Sequence, residues 1–331
     1  MPSPAVVRWR YAITAVGAAA LAAVAGCGSG MATAGPAGPE KSGLTVAAVP
    51  ATGAAGLYIA QQAGLFARQG LHVTILPSVS AADVVPGLLS GRIDVSLGQW
   101  TTAIILQAKH YADLKVLAAG NSEAPGLQQV MVPPKSGITS PRRLKGKTIA
   151  VNVLGGLSEL LVLDDLAGYG IQPGQVHFVA VPFPQEQAAL KAHRVDAAFM
   201  VEPFVSEAET ADGDTPVLDI GQGPTAGFPI VGYVVTRAWA NRYPKTAAAF
   251  ARAVDAGQKI ADTNRGEVER VLRYYIRGLG GTASLIALGN YPVSVDPKPL
   301  MRVGTLMQKF PSVSGLPTSV NVPAVIAEMT R

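Results

Sequence analysis

LTVAAVP (residues 44–50), GLFARQGLHVTIL (64–76) and GLLSGRIDVSLGQWT (87–101) recur downstream as KTIAVNV (147–153), LAGYGIQPGQVHFVAV (166–181) and ALKAHRVDAAFMVEP (189–203). The endings match best, with Arg92, Ile93 and Asp94 lying over Arg194, Val195 and Asp196. Each copy reads as strand, loop, helix, strand, loop, helix, strand. Short apolar runs alternating with helical stretches predict a parallel sheet with helices on both faces. A repeat this long argues for two α/β lobes facing one cleft, not for a solenoid of short units.

Outward from the copies, Val130, Met131 and Val132, ended by Pro133 and Pro134, read as a crossing between lobes. SPRRLKGK (140–147) reads as a solvated helix with a turn. A Gly-, Asp-, Pro- and Thr-rich connector (211–229) precedes a strand at 230–236 that returns to the first lobe. Two crossings predict a two-strand hinge. Apolar residues near helical spacing over 239–264 predict one helix. Further helices are expected at 266–276, 299–310 and 322–329, packed on the first lobe.

The chain has 331 residues, 49% of them hydrophobic and 15% charged, ample for buried cores. With net charge +5 and no Lys/Arg-rich run, nucleic acid is not an expected partner. Arg8 and Arg10 precede a small apolar run, too short for a membrane span, that ends Val24, Ala25, Gly26, Cys27. Small residues directly before a cysteine resemble the bacterial lipobox, which implies cleavage before Cys27 and diacylglycerol on its thiol. Cys27 is the single cysteine, so a disulfide, a cysteine metal site and a cysteine nucleophile are excluded from the folded body. The expected organisation is a signal peptide (1–26), a lipidated flexible tether (27–43), a first lobe (44–131 and 232–331) and a second lobe (132–231).

GLYIAQQAGLFARQGLHV, LLSGRIDVSLG, LKGKTIAV and DAAFMVEPF, in that order behind a lipobox, resemble the solute-binding proteins of ABC importers in the sulfonate, nitrate, taurine and thiamine-precursor (THI5-like) group. The resemblance covers nearly all of residues 44–275. It implies the type II periplasmic binding protein fold: two α/β lobes, a hinge, and a ligand held between them. The implied partners are a small-molecule solute, an ABC permease with its ATPase, and the membrane through the lipid anchor. The protein is expected to be a monomer, without cofactor or metal, on the extracytoplasmic face of the cell membrane.

In parallel α/β sheets, ligands gather at the carboxyl ends of strands, where helix N-termini offer free N–H groups. The repeat places matching corners on the two lobes. After the first strand of each copy come Thr52, Gly53, Gly56 and Tyr58 in one lobe and Gly155, Gly156 and Ser158 in the other. At the ends of the third strands stand Gln99, Trp100 and Thr101, and Glu202. Asn121 and Phe183 follow further strands. These thirteen are the candidate ligand-binding residues. Ser158 is read equally as a helix cap, Glu202 as a hinge-side cap or salt bridge, and Tyr58 as a packing residue. The matched Asp94 and Asp196 precede strand cores, away from the cleft, and read as partners of turn amides, not as catalytic carboxylates.

The four histidines are scattered, and neither a nucleophile elbow nor a phosphate loop is present. The resemblance also reaches fungal pyrimidine synthases, which depend on a Lys and a His; neither occurs in the candidate loops. The expected function is therefore non-enzymatic capture of a small organic solute, sulfonate- or taurine-like or pyrimidine-like. The alternatives are a pyrimidine-forming synthase of the same fold and a ligand-sensing lipoprotein without transport. Because the loops carry no Arg or Lys, nitrate is the weaker solute.

Overall fold

Leu44, Val46, Ala47 and Ala48 lie buried in strand β1 (Gly43–Ala48), which pairs in parallel with β2 (His72–Pro77) and β3 (Val95–Gln99). The chain continues to β4 (Leu114–Ala119), crosses to a second sheet built from β5 (Gln128–Val132), β6 (Thr148–Val151), β7 (His177–Ala180), β8 (Ala197–Val201) and β9 (Thr215–Asp219), and returns as β10 (Val231–Thr236). The sheet orders are β2-β1-β3-β10-β4 and β7-β6-β8-β5-β9, one topology used twice. This is a computed structural model; it describes residues 38–78, 81–276, 279 and 283–331, with the side chains of 81–83 outside the description. The leader, Cys27 and most of the tether also lie outside the described residues. Among the described residues no helix is long and apolar enough to cross a membrane.

The repeat is exact in its chemistry at the strand starts. Asp94 Oδ2 accepts from Thr45 N–H, and Asp196 Oδ2 from Thr148 N–H, both at 2.9 Å. Lys41 pairs with Asp94 and Lys147 with Asp196. Each aspartate thus locks the third strand of its lobe to the first: a structural role, as expected, but through strand amides and a lysine in place of turn amides.

The first lobe carries α1 (Ala55–Gln62), α2 (Leu65–Arg68), α3 (Ala81–Ser90) and α4 (Trp100–Ala108); the second carries α5 (Leu157–Ala167), α6 (Phe183–Lys191) and α7 (Phe204–Asp212). Gly64, at φ 67°, occupies the left-handed region that lets α1 stop and α2 start in a new direction. The expected helix over 239–264 is two: α8 (Arg237–Arg242) and α9 (Pro244–Thr263). Pro244 has no N–H to continue α8 and pushes Tyr243 out of helical geometry, so it starts a new helix instead. Then follow α10 (Arg265–Tyr275), α11 (Pro297–Lys309), α12 (Pro311–Ser314) and α13 (Val322–Thr330).

Two expectations need correcting. Val130, Met131 and Val132 are not a crossing but part of β5, fully buried between β8 and β9. A strand interior of a sheet is apolar all along, and periodicity does not separate it from a short apolar connection. The crossings are residues 120–127 and 220–230, paired by Ile230 N–H to Asn121 O (3.0 Å) and Glu123 N–H to Phe228 O (2.8 Å). Asn290 pairs with Ser122 on the opposite edge, adding a third segment to the hinge. Second, the C-terminal helices do not pack on the first lobe alone. α13 lies on α4 and β4, but α11 touches both α4 and α5. Lys309 reaches Asp164 of α5 at 2.5 Å, and Arg302 donates to the carbonyls of Pro224 and Ala226. Leu300, Val303, Leu306 and Met307 of α11 belong to one buried cluster with residues of both lobes.

Beside the hinge, carboxyl groups are buried without a cation. Glu123 is fully buried, and neither of its oxygens has a hydrogen-bond partner; burial, with Asp219 and Asp165 adding, holds its pKa well above the carboxylate range. Asp165 of α5, hydrogen-bonded by Thr225 Oγ1, is pushed up to about 7, chiefly by burial.

Candidate functional site

A cavity of about 310 Å³ opens between the sheets, with the carboxyl ends of strands from both lobes in its wall. β1 leads into Pro50, Ala51, Thr52 and Gly53; β3 contributes Ser96, Leu97, Gly98 and Gln99. Val84, Val85 and Leu88 of α3 and Thr102 and Leu106 of α4 complete the first-lobe side. The second lobe supplies Asn152 and Val153 after β6, Pro182, Phe183 and Pro184 at the start of α6, and Val201 and Phe204 after β8. Asn121, Leu127, Gln128 and Ile230 form the hinge-side wall.

Of the sequence-derived candidates, Thr52, Gly53, Gln99, Asn121 and Phe183 line this cavity. Asn121 is buried, and its Oδ1 has no hydrogen-bond partner; a Cβ on Gly53 would come within 2.9 Å of it and push the amide aside.

The other candidates do not line it. Trp100 is 2% exposed and lies under the sheet: a Cβ on Gly232 of β10 would sit 1.9 Å from its ring, so the indole fills the space a side chain would take. Thr101 is buried beside it with Oγ1 unpartnered. Tyr58 stacks on Tyr275 of α10, centroids 3.8 Å apart and planes 8° from parallel, and Tyr275 in turn donates to Ala51 O (2.9 Å). Gly56 is where α1 meets α9, its missing side chain making room for Gln258. Gly155 and Gly156 are turned from the cavity, and the carbonyl of Val313 in α12 closes over Gly155. Ser158 neither caps α5 nor lines the cavity; it donates to Asn152 Oδ1 at 2.7 Å and so orients a residue that does. Glu202 is a hinge-side cap: its carboxyl accepts from Ser206 Oγ (2.8 Å) and from Ala287 N–H (3.0 Å), which ties β8 to a segment near Asn290. Burial raises its pKa against these hydrogen bonds.

Sequence reasoning missed Asn152, Ser96, Thr102, Gln128 and the apolar face of α3. Asn152 had a signal, since it directly follows the first strand of the second copy, as the Thr52 loop follows that of the first. Gln128 was hidden by the reading of β5 as a connector.

A family model described as NMT1/THI5 like matches residues 51–265, nearly two-thirds of the chain. The chain belongs to the NMT1/THI5-like family. The taurine-binding periplasmic protein of Escherichia coli (strain K12) is 32% identical over 206 residues, 60% of this chain and 61% of that protein. The 4-amino-5-hydroxymethyl-2-methylpyrimidine phosphate synthase of Uromyces fabae is 25% identical over 214 residues, 61% of each. The chain thus matches about three-fifths of the length of these curated relatives. The crystal structure of the periplasmic nitrate-binding protein NrtA from Synechocystis PCC 6803 superposes with a TM-score of 0.75 at 19% identity, covering 89% of this chain and 87% of that one. The shared architecture is the two-lobed α/β fold of periplasmic binding proteins.

Proposed function

We propose that this family member is the solute-capturing receptor of an ABC-type importer, working at the extracytoplasmic face of the membrane and tethered there through Cys27. The observation that carries the reading is the cavity at the strand ends of both lobes, beside a hinge where the chain crosses twice. A solute that touches both lobes favours the closed arrangement by its differential affinity for it, and the closed form is what a permease would recognise. Sulfonate- or taurine-like and pyrimidine-like solutes are the candidates, by similarity to relatives that carry those names. The synthase reading draws support from one relative, but the cavity wall offers no Lys or His among the described residues.

The test is a thermal-shift panel of taurine, alkanesulfonates, nitrate, pyrimidines and neutral aromatic amides on the full-length protein. A true solute at 100 times its Kd adds about 2.7 kcal/mol of stability. No shift with any compound would remove the receptor reading. Expression of Cys27→Ser should move the protein from the membrane to the soluble fraction; unchanged partition would remove the anchor.

A further inference from the structure

The cavity wall has no ionisable side chain among the described residues. Its polar atoms come from amides (Gln99, Asn121, Gln128 and Asn152) and from hydroxyls such as Thr52 and Thr102. The remainder is aliphatic or phenyl. An anion can be held without a cation, but only by free N–H groups, most often at helix N-termini.

Several of those donors are spoken for here, although the N–H groups of Thr52, Gly53 and Phe183 are not among them. Trp100 N–H, the first of α4, donates to Ile230 O at 3.2 Å. Pro184, in the first turn of α6, has no N–H at all, and Gln185 N–H donates to Pro182 O. At α5, the corner that matches the Thr52 loop, Gly156 N–H donates to Val153 O and Gly155 N–H to the carboxyl of Glu159 at 2.8 Å. At this corner, then, the N–H of Gly155 is taken by the chain's own Glu159 side chain. Ala54 N–H is likewise bonded to Ala51 O. An ionised group in this wall would have no counter-charge among the described residues, and burying it so is costly.

What the wall does offer is one buried acceptor without a partner, Asn121 Oδ1, and across the cleft the Asn152 amide, whose Oδ1 is already engaged by Ser158 and whose NH₂ remains as donor. An uncharged ligand bearing both an N–H or O–H donor and an acceptor, on an apolar body that covers Phe183, Leu97 and Val85, satisfies both.

Resting on the receptor reading above, we infer that the solute is an uncharged, mostly apolar molecule carrying a hydrogen-bond donor and an acceptor, as an amide or a neutral heterocycle does, and that taurine, alkanesulfonates and nitrate are not its ligands.

Matched pairs differing in charge test this by isothermal titration calorimetry on the full-length protein: benzenesulfonamide against benzenesulfonate, and benzamide against benzoate, with taurine and nitrate alongside. The neutral member of each pair is expected to bind about tenfold or more tighter than its anion, and Asn121→Leu to weaken it about tenfold, the scale of one hydrogen bond. Gln99→Arg, which brings a cation to the wall, is expected to raise affinity for benzenesulfonate at least tenfold; it also carries the test if Asn121→Leu does not fold. An anion, taurine or nitrate binding as tightly as the neutral compounds overturns the inference and leaves the receptor reading standing. Neutral binding that Gln99→Arg and a folded Asn121→Leu both leave unaltered places the ligand outside this cavity and also overturns it. Binding of no compound in any arm removes both.

Discussion

Asp165→Asn should change how the protein's stability depends on pH. Asp165 is 4% exposed, on α5, and its carboxyl accepts from the hydroxyl of Thr225, at 3.1 Å from each oxygen. Burial raises its pKa from 3.8 to about 7, with Asp164 and Asp219 adding and the hydroxyl opposing. A carboxyl with a raised pKa in the folded state holds its proton more tightly there than in the unfolded chain. Its stabilising contribution is complete below the unfolded value and is lost as pH rises through the folded one. Each pKa unit is worth about 1.4 kcal/mol, so this group withdraws at most about 4 kcal/mol between roughly pH 4 and pH 8. Asparagine keeps an acceptor for Thr225 and carries no charge to bury. The variant should match wild type near pH 4 and exceed it by about 2 kcal/mol or more at pH 8. Urea unfolding across that range reads the difference directly. Parallel stability curves for variant and wild type would refute the argument. Glu123, buried without partners and shifted in the same direction, should leave a residual slope in the single variant, and Glu123→Gln should flatten it further.

Gly232→Ala should destabilise by about 3 kcal/mol or more, because the new Cβ meets the Trp100 ring and neither the strand nor the indole has room to yield; a melting temperature within a degree of wild type would contradict that packing. Tyr275→Phe should cost about 1 kcal/mol through the lost bond to Ala51 O, and should speed hydrogen exchange in the 51–54 loop more than elsewhere; uniform exchange would argue that the stack alone fixes that loop. Glu202→Ala should cost about 2 kcal/mol by leaving Ala287 N–H and Ser206 unpartnered, whereas Glu202→Gln should retain most of that; equal losses in denaturant titration would point to the charge and away from the cap.

The two halves were legible because the features that make them are local. Short apolar runs, helical stretches and the Asp94 and Asp196 locks recur at matched places, and the sheets reproduce that match strand for strand. The cleft was legible to the extent that it follows from strand direction: the loops after β1 and β3 face it. What failed depended on what else comes near. Trp100 sits at a strand's carboxyl end, but a bare Gly232 on a strand far along the chain draws the indole under the sheet. Gly155 and Gly156 match the Thr52 corner in sequence, yet α12 and Glu159 close on Gly155, and Gly156 N–H turns to Val153 O.

From sequence alone follow the duplicated lobe, the fact of two crossings though not the place of the first, the family resemblance and the absence of cysteine chemistry in the folded body, since each is written in local pattern or composition. Tertiary structure alone decided that α11 joins both lobes, that Glu202 caps and lies outside the cavity wall, and that the wall carries no ionisable side chain among the described residues. A long-range contact costs nothing in local pattern, so it leaves no periodic trace; only the folded chain shows which side chain takes the space another leaves empty.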